Sequence, residues 1–301
     1  MRPGRVVAVV GPTATGKSDL AVAVAQELGG EVVNADSMQL YAGMDIGTAK
    51  LTVAERQGVP HHLLDVWPVT RRATAADYQR LCRAVLDDLL ARGVTPVVVG
   101  GSGLYLRAAL DELEFPGTDP ELRAALEAEL AELGPLALHH RLAGLDPAAA
   151  GRMEPTNGRR TVRALEVISL TGAMPGRLQS YEAQDAHYDT VHVGLDTDPA
   201  DLAERVGERV HRMWDSGLLA EVAGLPGLRE GVTAGRALGY AQALAQLDGV
   251  LTREQAIEAT AVATRRFVRR QRGWFRRDPR VHWLVRDGSE PAQTRALAEL
   301  S

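Results

Sequence analysis

The chain has 301 residues, of which 45% are hydrophobic, and it carries a formal net charge of −5. This length suffices for one large domain or two modest ones, and the absence of any run of about 18 apolar residues argues against a membrane span. The single cysteine, Cys82, excludes an intramolecular disulfide framework and a cysteine-based zinc cluster. Because a strand-like apolar run begins within the first few residues, we expect no room for a signal peptide and predict a soluble cytoplasmic protein.

Short apolar runs alternate with helical patterns in the first third of the chain. Residues 5–10 and 31–36 predict buried strands, and the helix predicted between them stops at Gly29 and Gly30. Residues 74–93 predict a helix with Thr74 as its N-cap, and residues 94–110 predict a strand, a glycine turn and a helix. This alternation indicates an α/β fold with a parallel sheet that binds ligands at the carboxyl ends of its strands.

The sequence pattern changes near Phe115, where helical patterns broken by Gly and Pro continue without an evident strand. Another strand is predicted at 188–198, followed by helices at 199–217, at 235–247 and from about residue 252. A last strand is predicted at 280–285, with a loop and short helix over 286–300. We therefore predict a P-loop-type α/β core formed by residues 1–115 and 190–301, with a helical insertion domain over 116–189.

The stretch GPTATGKS, residues 11–18, matches the pattern G-x-x-x-x-G-K-[ST] between a predicted strand and a predicted helix. Its glycines let backbone N–H groups and the helix N-terminus surround phosphate oxygens. Lys17 supplies a point charge, and the hydroxyl of Ser18 is a suitable ligand for Mg²⁺. The motif predicts phosphate binding and leaves open whether the ligand is a nucleotide, a diphosphate ester or another phosphate.

Two further segments are predicted at the same edge of the sheet. Asp36 ends the second strand and is either a turn or capping aspartate, or a carboxylate that serves as metal ligand or general base. Gln39, on the same loop, has the donor and acceptor that can read the edge of adenine. The later strand ends in glycines around Ser102, and the missing strand-end aspartate weakens an ordinary ATPase interpretation.

Charge is distributed unevenly along the chain. Residues 265–280 hold eight arginines and one aspartate, a formal charge of +7, which leaves −12 on the rest. Phe267, Trp274 and Phe275 interrupt this segment, and the combination favours binding of nucleic acid or another polyanion over a merely solvated helix face. The only lysines are Lys17 and Lys50, which suggests that Lys17 is retained for its compact charge.

Seven motifs in chain order resemble the bacterial tRNA dimethylallyltransferases, also called tRNA isopentenyltransferases or MiaA-type proteins. They are GPTATGKS, NADSMQLYAGMDIGTAK (34–50), PHHLLD (60–65), VVVGGSGLYLRAAL (97–110), RRTVRALEV (159–167), GRALGYAQAL (235–244) and ATRRFVRRQRGWFRR (263–277). The resemblance implies a P-loop core with a helical insertion that clasps the anticodon stem-loop. It also implies Mg²⁺-assisted transfer of a dimethylallyl group from dimethylallyl diphosphate to N6 of adenosine 37 in tRNAs that read codons beginning with U.

The resemblance assigns roles to individual residues. It implies a general base at Asp36, with Ser102 and Lys17 also catalytic. It implies diphosphate binding by Gly11, Pro12, Thr13, Ala14, Thr15, Gly16, Lys17, Ser18 and Arg236, with Mg²⁺ at Ser18. It implies tRNA contacts by Asp36, Ser37, Met38, Gln39, Ser102, Arg123, Arg159, Arg160, Thr161, Val162, Arg163, Arg269, Arg270, Gln271, Arg272, Trp274 and Arg276. No obligate protein partner is evident, and we expect a monomer.

This sequence departs from the family pattern at several of these positions. Ser102 replaces a usual threonine but keeps the hydroxyl, so activity is expected to survive. Ala241 stands where a longer polar residue is common, which implies one fewer RNA contact, and Arg272 and Gly273 differ from the usual pair before Trp274.

Two interpretations from other classes remain open at this level. A small-molecule kinase using ATP would also place a P-loop beside Asp36, although the missing strand-end aspartate and the arginine-rich segment count against it. A non-catalytic RNA-binding protein with a vestigial P-loop is the second, and the intact Gly16, Lys17, Ser18 and Asp36 count against that.

Overall fold

The computed structural model describes residues 5–172 and 186–285 together with Ala296. The chain divides into two compact units, one formed by Met1–Asp111 with Ala186–Ser301 and the other by Glu112–Asp185. These boundaries lie within a few residues of the 116–189 segment predicted as an insertion. In the described part of the chain, no helix is long and apolar enough to cross a membrane.

The first unit is built on a six-stranded sheet in which all neighbouring strands are parallel. Its strands are β1 Val6–Val10, β2 Glu31–Asn34, β3 His61–His62, β4 Pro96–Gly100, β5 Thr190–Asp196 and β6 Val281–Val285, in the spatial order β3-β2-β4-β1-β5-β6. Because β1 lies between β4 and β5, and β2 lies beside β4, the carboxyl ends of four strands meet at one edge. The predicted parallel α/β core is confirmed.

Helices cover both faces of this sheet. They are α1 Lys17–Leu28, α2 Ala75–Ala91, α3 Gly103–Leu110, α7 Pro199–Asp215, α8 Leu218–Ala223, α9 Tyr240–Leu247 and α10 Arg253–Phe275, and a short 3₁₀ helix lies at Ala234–Arg236. Alternate residues of β1 point to opposite sides, so Val7 and Val9 pack with α1 while Ala8 and Val10 join the larger core on the other face. Both cores are almost entirely excluded from solvent, which makes the strand ends a rigid platform.

The second unit is helical, with α4 Pro120–Leu145, α5 Pro147–Ala150 and α6 Gly158–Thr171. The long α4 is kinked at Gly134, whose φ of 79° and ψ of 168° interrupt the helix just before Pro135. Leu138 and Leu142 of α4 pack with Leu165 of α6 in a small separate core. In its described residues the unit contains no strand, as the sequence predicted.

Local sequence signals account for most element boundaries. Helix α1 ends at Gly29, whose φ of 58° is the left-handed conformation that glycine adopts easily. Helix α2 begins after Thr74, whose side chain accepts from the Asp77 amide as predicted. Strand β3 and helix α8 were not predicted, because two and six residues are too short to show a period. The loop and short helix predicted over 286–300 lie outside the described residues, apart from Ala296.

The buried imidazole of His192 in β5 should make the first unit sensitive to acid. Burial, followed by the nearby charge of Arg280, lowers the pKa of His192 from 6.5 to about 4. The unfolded chain therefore takes up a proton below about pH 6.5 while the folded protein resists until about pH 4, and stability is lost as pH falls across that window. We expect this residue to lower the free energy of unfolding by about 2 kcal/mol between about pH 7.5 and about pH 5.

Urea unfolding of His192→Gln at the two pH values measures this contribution, with the exposed His211→Gln as control. The slope of stability with pH should flatten for His192→Gln and stay unchanged for His211→Gln. Equal slopes in all three proteins would show that His192 is not the group responsible.

Candidate active site

The P-loop joins β1 to α1 through a backbone that only small residues permit. Gly11 has a φ of 138°, and a Cβ on it would lie 2.3 Å from the carbonyl oxygen of Leu195 in β5. Gly16 has a φ of 89° and is the N-cap of α1. The Thr15 hydroxyl donates to the Pro12 carbonyl at 2.9 Å, which closes the turn from inside. The loop therefore presents its amides and the start of α1 to one shared cavity.

Two cationic side chains, those of Lys17 and Arg209, contact this loop. The ammonium of Lys17 donates to the Pro12 carbonyl at 2.5 Å. Its burial, followed by repulsion from Arg209, lowers the pKa of Lys17 to about 7 although Asp36 opposes the shift. The Arg209 guanidinium, on α7, donates to the Thr13 hydroxyl at 2.9 Å and to the Thr48 carbonyl at 3.4 Å. An anionic ligand here would face two partly desolvated positive charges.

Asp36 is held at the end of β2 by its neighbours. Its amide donates to the side-chain oxygen of the buried Asn34 at 2.8 Å, and Asn34 in turn donates to the Asp36 carbonyl at 3.0 Å. One carboxylate oxygen of Asp36 accepts from the Met38 amide at 2.8 Å. The carboxylate is thus fixed through one oxygen, and it lines the cavity shared with the P-loop.

The glycine turn after β4 brings Ser102 against the Asp36 loop. The Ser102 hydroxyl lies 3.4 Å from the Ser37 hydroxyl and 3.5 Å from its amide nitrogen. A Cβ on Gly100 would lie 2.5 Å from the Ala35 carbonyl oxygen, so this approach needs glycine. Asp36, Ser37 and Ser102, predicted at the same edge of the sheet, line one cavity there, with Ser37 and Ser102 in contact.

Two cavities open from this edge of the sheet. A cavity of about 200 Å³ is lined by the P-loop residues Thr13, Gly16, Lys17 and Ser18 together with Asn34 and Gln39. A second, of about 340 Å³, is mostly apolar and is lined by Val206, Val210, Met213, Ala237, Leu238 and Phe267 among others. Thr13, Asp36, Thr48 and Arg209 line both cavities. The P-loop cavity therefore adjoins the apolar cavity, and Asp36 and Arg209 lie at their junction.

Arg236, predicted to bind diphosphate, and Gln39, predicted to read the base, line different cavities. Arg236 is exposed and lines the apolar cavity with Thr13, but not the P-loop cavity. Gln39 lines the P-loop cavity, but its amide donates to the carbonyls of Thr48 at 3.1 Å and Ala49 at 3.4 Å. Reading an adenine edge with both groups of this amide would require those bonds to break.

Several residues of α10 that the resemblance assigned to tRNA have internal partners instead. Gln271 is buried, accepts from the Thr13 amide at 3.0 Å and donates to the Gly101 carbonyl at 2.9 Å. This corrects its assignment, because a buried side chain that braces the P-loop cannot contact RNA. Arg272 and Arg276 both pair with the buried Asp196 at the end of β5, at 3.0 Å.

Trp274 lies against the start of α3, since a Cβ on Gly103 would be 1.8 Å from its indole nitrogen. Arg269 and Arg270 are exposed on the same helix. As exposed cations, they are available to an external polyanion.

Gln271 offers a test of this bracing role. We expect Gln271→Ala to weaken binding of inorganic pyrophosphate several-fold, because Thr13 loses the acceptor that fixes its amide. Affinity for tRNA should change by less than about twofold, since the side chain is buried. Calorimetry with pyrophosphate and a filter-binding assay with tRNA measure the two effects separately. A loss of tRNA affinity alone would restore the original assignment.

In the second unit, two of the residues predicted to contact tRNA are buried. Thr161 is 0% exposed and Val162 is 2% exposed, and Val162 belongs to the small helical core. Their assignment as tRNA contacts is corrected, because both side chains are buried and do not reach solvent. Arg159 and Arg160 at the start of α6 are exposed.

The other two arginines of this unit are tied to one carboxylate. Arg123 and Arg163 both pair with the buried Glu166, Arg163 at 2.7 Å. Burial raises the pKa of Glu166, but the bonds from Arg163 and Arg123 outweigh it and hold the pKa below its usual value. A charged Glu166 neutralises part of both cations, which leaves Arg159 and Arg160 as the exposed positive charges of α6.

Sequence reasoning missed Arg209 and Asn34. The signal for Arg209 was present, because it lies three residues after the buried Val206 and therefore on the same side of α7. A cation on such a face needs a specific partner, and here the partners are Thr13 and Thr48. Asn34 belongs to the predicted second strand, but nothing in the sequence indicates that its amide would fix Asp36.

The resemblance also implied a Mg²⁺ bound at Ser18. Within the described residues, no cluster of three or more His, Cys, Asp or Glu side chains is arranged to hold a metal. Ser18, Asp36 and the exposed Asp19 nevertheless line one cavity with the P-loop. One hydroxyl and a nearby carboxylate suit Mg²⁺, which keeps several waters and takes other ligands from substrate phosphates. The residues therefore fit a Mg²⁺ that arrives with a phosphate ligand.

The fold and site define a P-loop α/β protein whose P-loop cavity adjoins a mostly apolar one. The IPP transferase family model matches residues 39–278 of this chain. The chain is 62% identical over 293 residues to the tRNA dimethylallyltransferase of Thermobifida fusca (strain YX), covering 95% of this chain and 91% of that protein. The chain belongs to the IPP transferase family, whose members typically need a divalent metal.

Solved structures agree with this placement. A tRNA isopentenylpyrophosphate transferase from Bacillus halodurans is 36% identical, with a TM-score of 0.71 and coverage of 99% of this chain and 95% of that one. A eukaryotic dimethylallyltransferase acting on tRNA is 27% identical, with a TM-score of 0.81 and coverage of 98% of this chain and 78% of that one. The family and the P-loop-like fold implied by the seven motifs are both confirmed.

Proposed function

We propose that the protein transfers a dimethylallyl group from dimethylallyl diphosphate to N6 of adenosine 37 in tRNAs reading UNN codons, giving N6-isopentenyladenosine and diphosphate. It is a prenyltransferase that modifies tRNA, and its expected place of action is the cytoplasm. The observation that carries the proposal is that the P-loop cavity adjoins the apolar cavity, with Asp36 and Arg209 lining both. A diphosphate with a short hydrocarbon chain needs both environments side by side.

The leaving diphosphate presents the largest electrostatic demand. The bond between its oxygen and the first prenyl carbon breaks, and the electron pair stays on the diphosphate. The P-loop amides, Lys17 and Arg209 face this developing charge, and Arg236 is proposed to assist from the apolar side. A Mg²⁺ held at Ser18 would neutralise further charge on the diphosphate.

The accepting amine of adenine is a weak nucleophile because its lone pair is delocalised into the ring. As N6 bonds to the prenyl carbon it must lose a proton, and Asp36 at the cavity junction is the proposed acceptor. Ser37 and Ser102, in contact with each other beside Asp36, are placed to bind the base. The adenosine must leave its stack to reach this depth, as in other enzymes that modify a base.

Exposed arginines on each unit are proposed to hold the tRNA backbone. Arg159 and Arg160 serve in the second unit, and Arg269 and Arg270 serve on α10. The remaining predicted contacts, including Met38 and Trp274, stay proposals of the same kind. We expect the enzyme to act as a monomer.

Incubation with dimethylallyl diphosphate, Mg²⁺ and unmodified tRNA, followed by nucleoside mass spectrometry, tests the proposal. We expect the mass of one prenyl group to appear on adenosine 37, and no gain on a matched tRNA that carries guanosine there. Brisk phosphate release from ATP with a small hydroxylated acceptor, without prenylated tRNA, would instead identify a kinase.

A further inference from the structure

A single carboxylate organises the loop that follows Asp36. The backbone amides of Asp45, Ile46 and Gly47 all donate to Glu221 of α8, at 3.2, 2.7 and 3.4 Å. Three consecutive amides converging on one side chain make an anion-binding turn, and here the anion is part of the protein. Glu221 contacts no P-loop residue in the described hydrogen bonds, so any effect on the site must pass through this loop.

The carboxylate is itself oriented by Tyr240 at the start of α9. The buried phenol of Tyr240 donates to the same oxygen of Glu221 that accepts from Gly47. A Cβ on Gly47 would lie 2.3 Å from the Tyr240 ring, so glycine allows the loop to rest directly on the aromatic face. Packing and hydrogen bonding thus fix the same short segment.

Lys50, at the other end of the segment, ties it back to Asp45 and to two residues outside it. The ammonium of Lys50 is buried and donates to Asp45 and Asp65 at 2.6 and 2.5 Å, and to the Tyr41 carbonyl at 3.1 Å. This explains the second of the two lysines, which needs no role in catalysis. Between the Glu221 and Lys50 anchors lies Thr48.

Thr48 is where this loop meets the reacting groups. Its carbonyl accepts from Arg209 at 3.4 Å and from Gln39 at 3.1 Å, and Arg209 in turn donates to the P-loop hydroxyl of Thr13. Thr48 also lines both cavities. A shift of the 45–47 amides would therefore move one of the two acceptors that orient the Arg209 guanidinium.

We propose that Glu221 is a positioning residue for diphosphate binding, acting through the 45–48 turn on Arg209. The proposal rests on the proposed function for the identity of the diphosphate ligand. Without the carboxylate, three amides lose their acceptor, the turn loosens, and Arg209 is no longer held between Thr48 and Thr13. The arginine then spends less time aimed at the P-loop cavity.

A double-mutant cycle measures this coupling. Binding of inorganic pyrophosphate with Mg²⁺ is followed by calorimetry for Glu221→Ala, Arg209→Met and the double variant, with the exposed Glu204→Ala of α7 as matched control. We expect Glu221→Ala to weaken binding about tenfold in the wild-type background and less than about twofold once Arg209 is gone. Glu204→Ala should have no effect, and tRNA affinity should stay within about twofold throughout.

Two milder variants address loss of folding. Tyr240→Phe removes one donor to the carboxylate and keeps the ring under Gly47, and Glu221→Gln keeps an acceptor oxygen. Both should weaken pyrophosphate binding about two- to threefold, and both effects should vanish in the Arg209→Met background. Equal, additive effects in both backgrounds would overturn the proposal and leave Glu221 a purely structural residue. The pyrophosphate measurement does not require prenyl transfer, so failure of wild-type transfer would count against the proposed function alone.

Discussion

Asp36→Asn should reduce prenyl transfer by about 10²–10⁴-fold while leaving tRNA affinity within about twofold. Asparagine keeps the shape and an oxygen that can still accept from the Met38 amide, so the turn after β2 should persist. What disappears is the group that takes the proton from N6 as the new bond forms. Single-turnover rates with tRNA and dimethylallyl diphosphate at saturation, together with tRNA binding, separate these two effects.

Asp19→Asn is the matched control, because it removes the same charge from an exposed residue that lines the same cavity. Its turnover should remain within a few-fold of wild type. If Asp36→Asn loses tRNA affinity and turnover together, Asp36 is an RNA anchor and the general-base assignment fails. If turnover falls less than about tenfold, no general base acts at this position.

Arg209→Met should lower kcat/KM for dimethylallyl diphosphate by about 10²–10³-fold, the usual cost of removing one donor aimed at a developing oxyanion. Methionine keeps an unbranched apolar side chain in the cavity wall but removes the guanidinium at the cavity junction. The loss should appear both in affinity for pyrophosphate and in the transfer rate. Steady-state kinetics over a range of donor concentrations resolves the two contributions.

The companion variant Arg236→Met decides which arginine serves the diphosphate. The resemblance assigned Arg236 to the diphosphate. In the structure Arg209 contacts Thr13 of the P-loop, whereas Arg236 is exposed and lines the apolar cavity. We expect Arg236→Met to cost less than about tenfold, because its charge lies farther into solvent. A larger loss for Arg236→Met than for Arg209→Met would reverse this ranking.

Features encoded by neighbouring residues were predictable from the sequence. The P-loop, the Thr74 cap and the glycine that ends α1 depend on a few adjacent residues and on the backbone they permit. The parallel sheet followed from short apolar runs between helices, and Asp36 lies at its carboxyl edge beside the P-loop cavity as expected. The seven motifs in order also identified the family before any geometry was known.

Which side chains remain available at the site was decided only by the tertiary structure. Gln271, Thr161 and Val162 occur within family motifs, yet the first braces the P-loop and the other two are buried. A sequence motif records which residues recur together, but burial and pairing depend on the helix faces that packing turns inward. For the same reason Arg209 was missed, because α7 carries three arginines and only its packing against the P-loop selects the one that reaches Thr13.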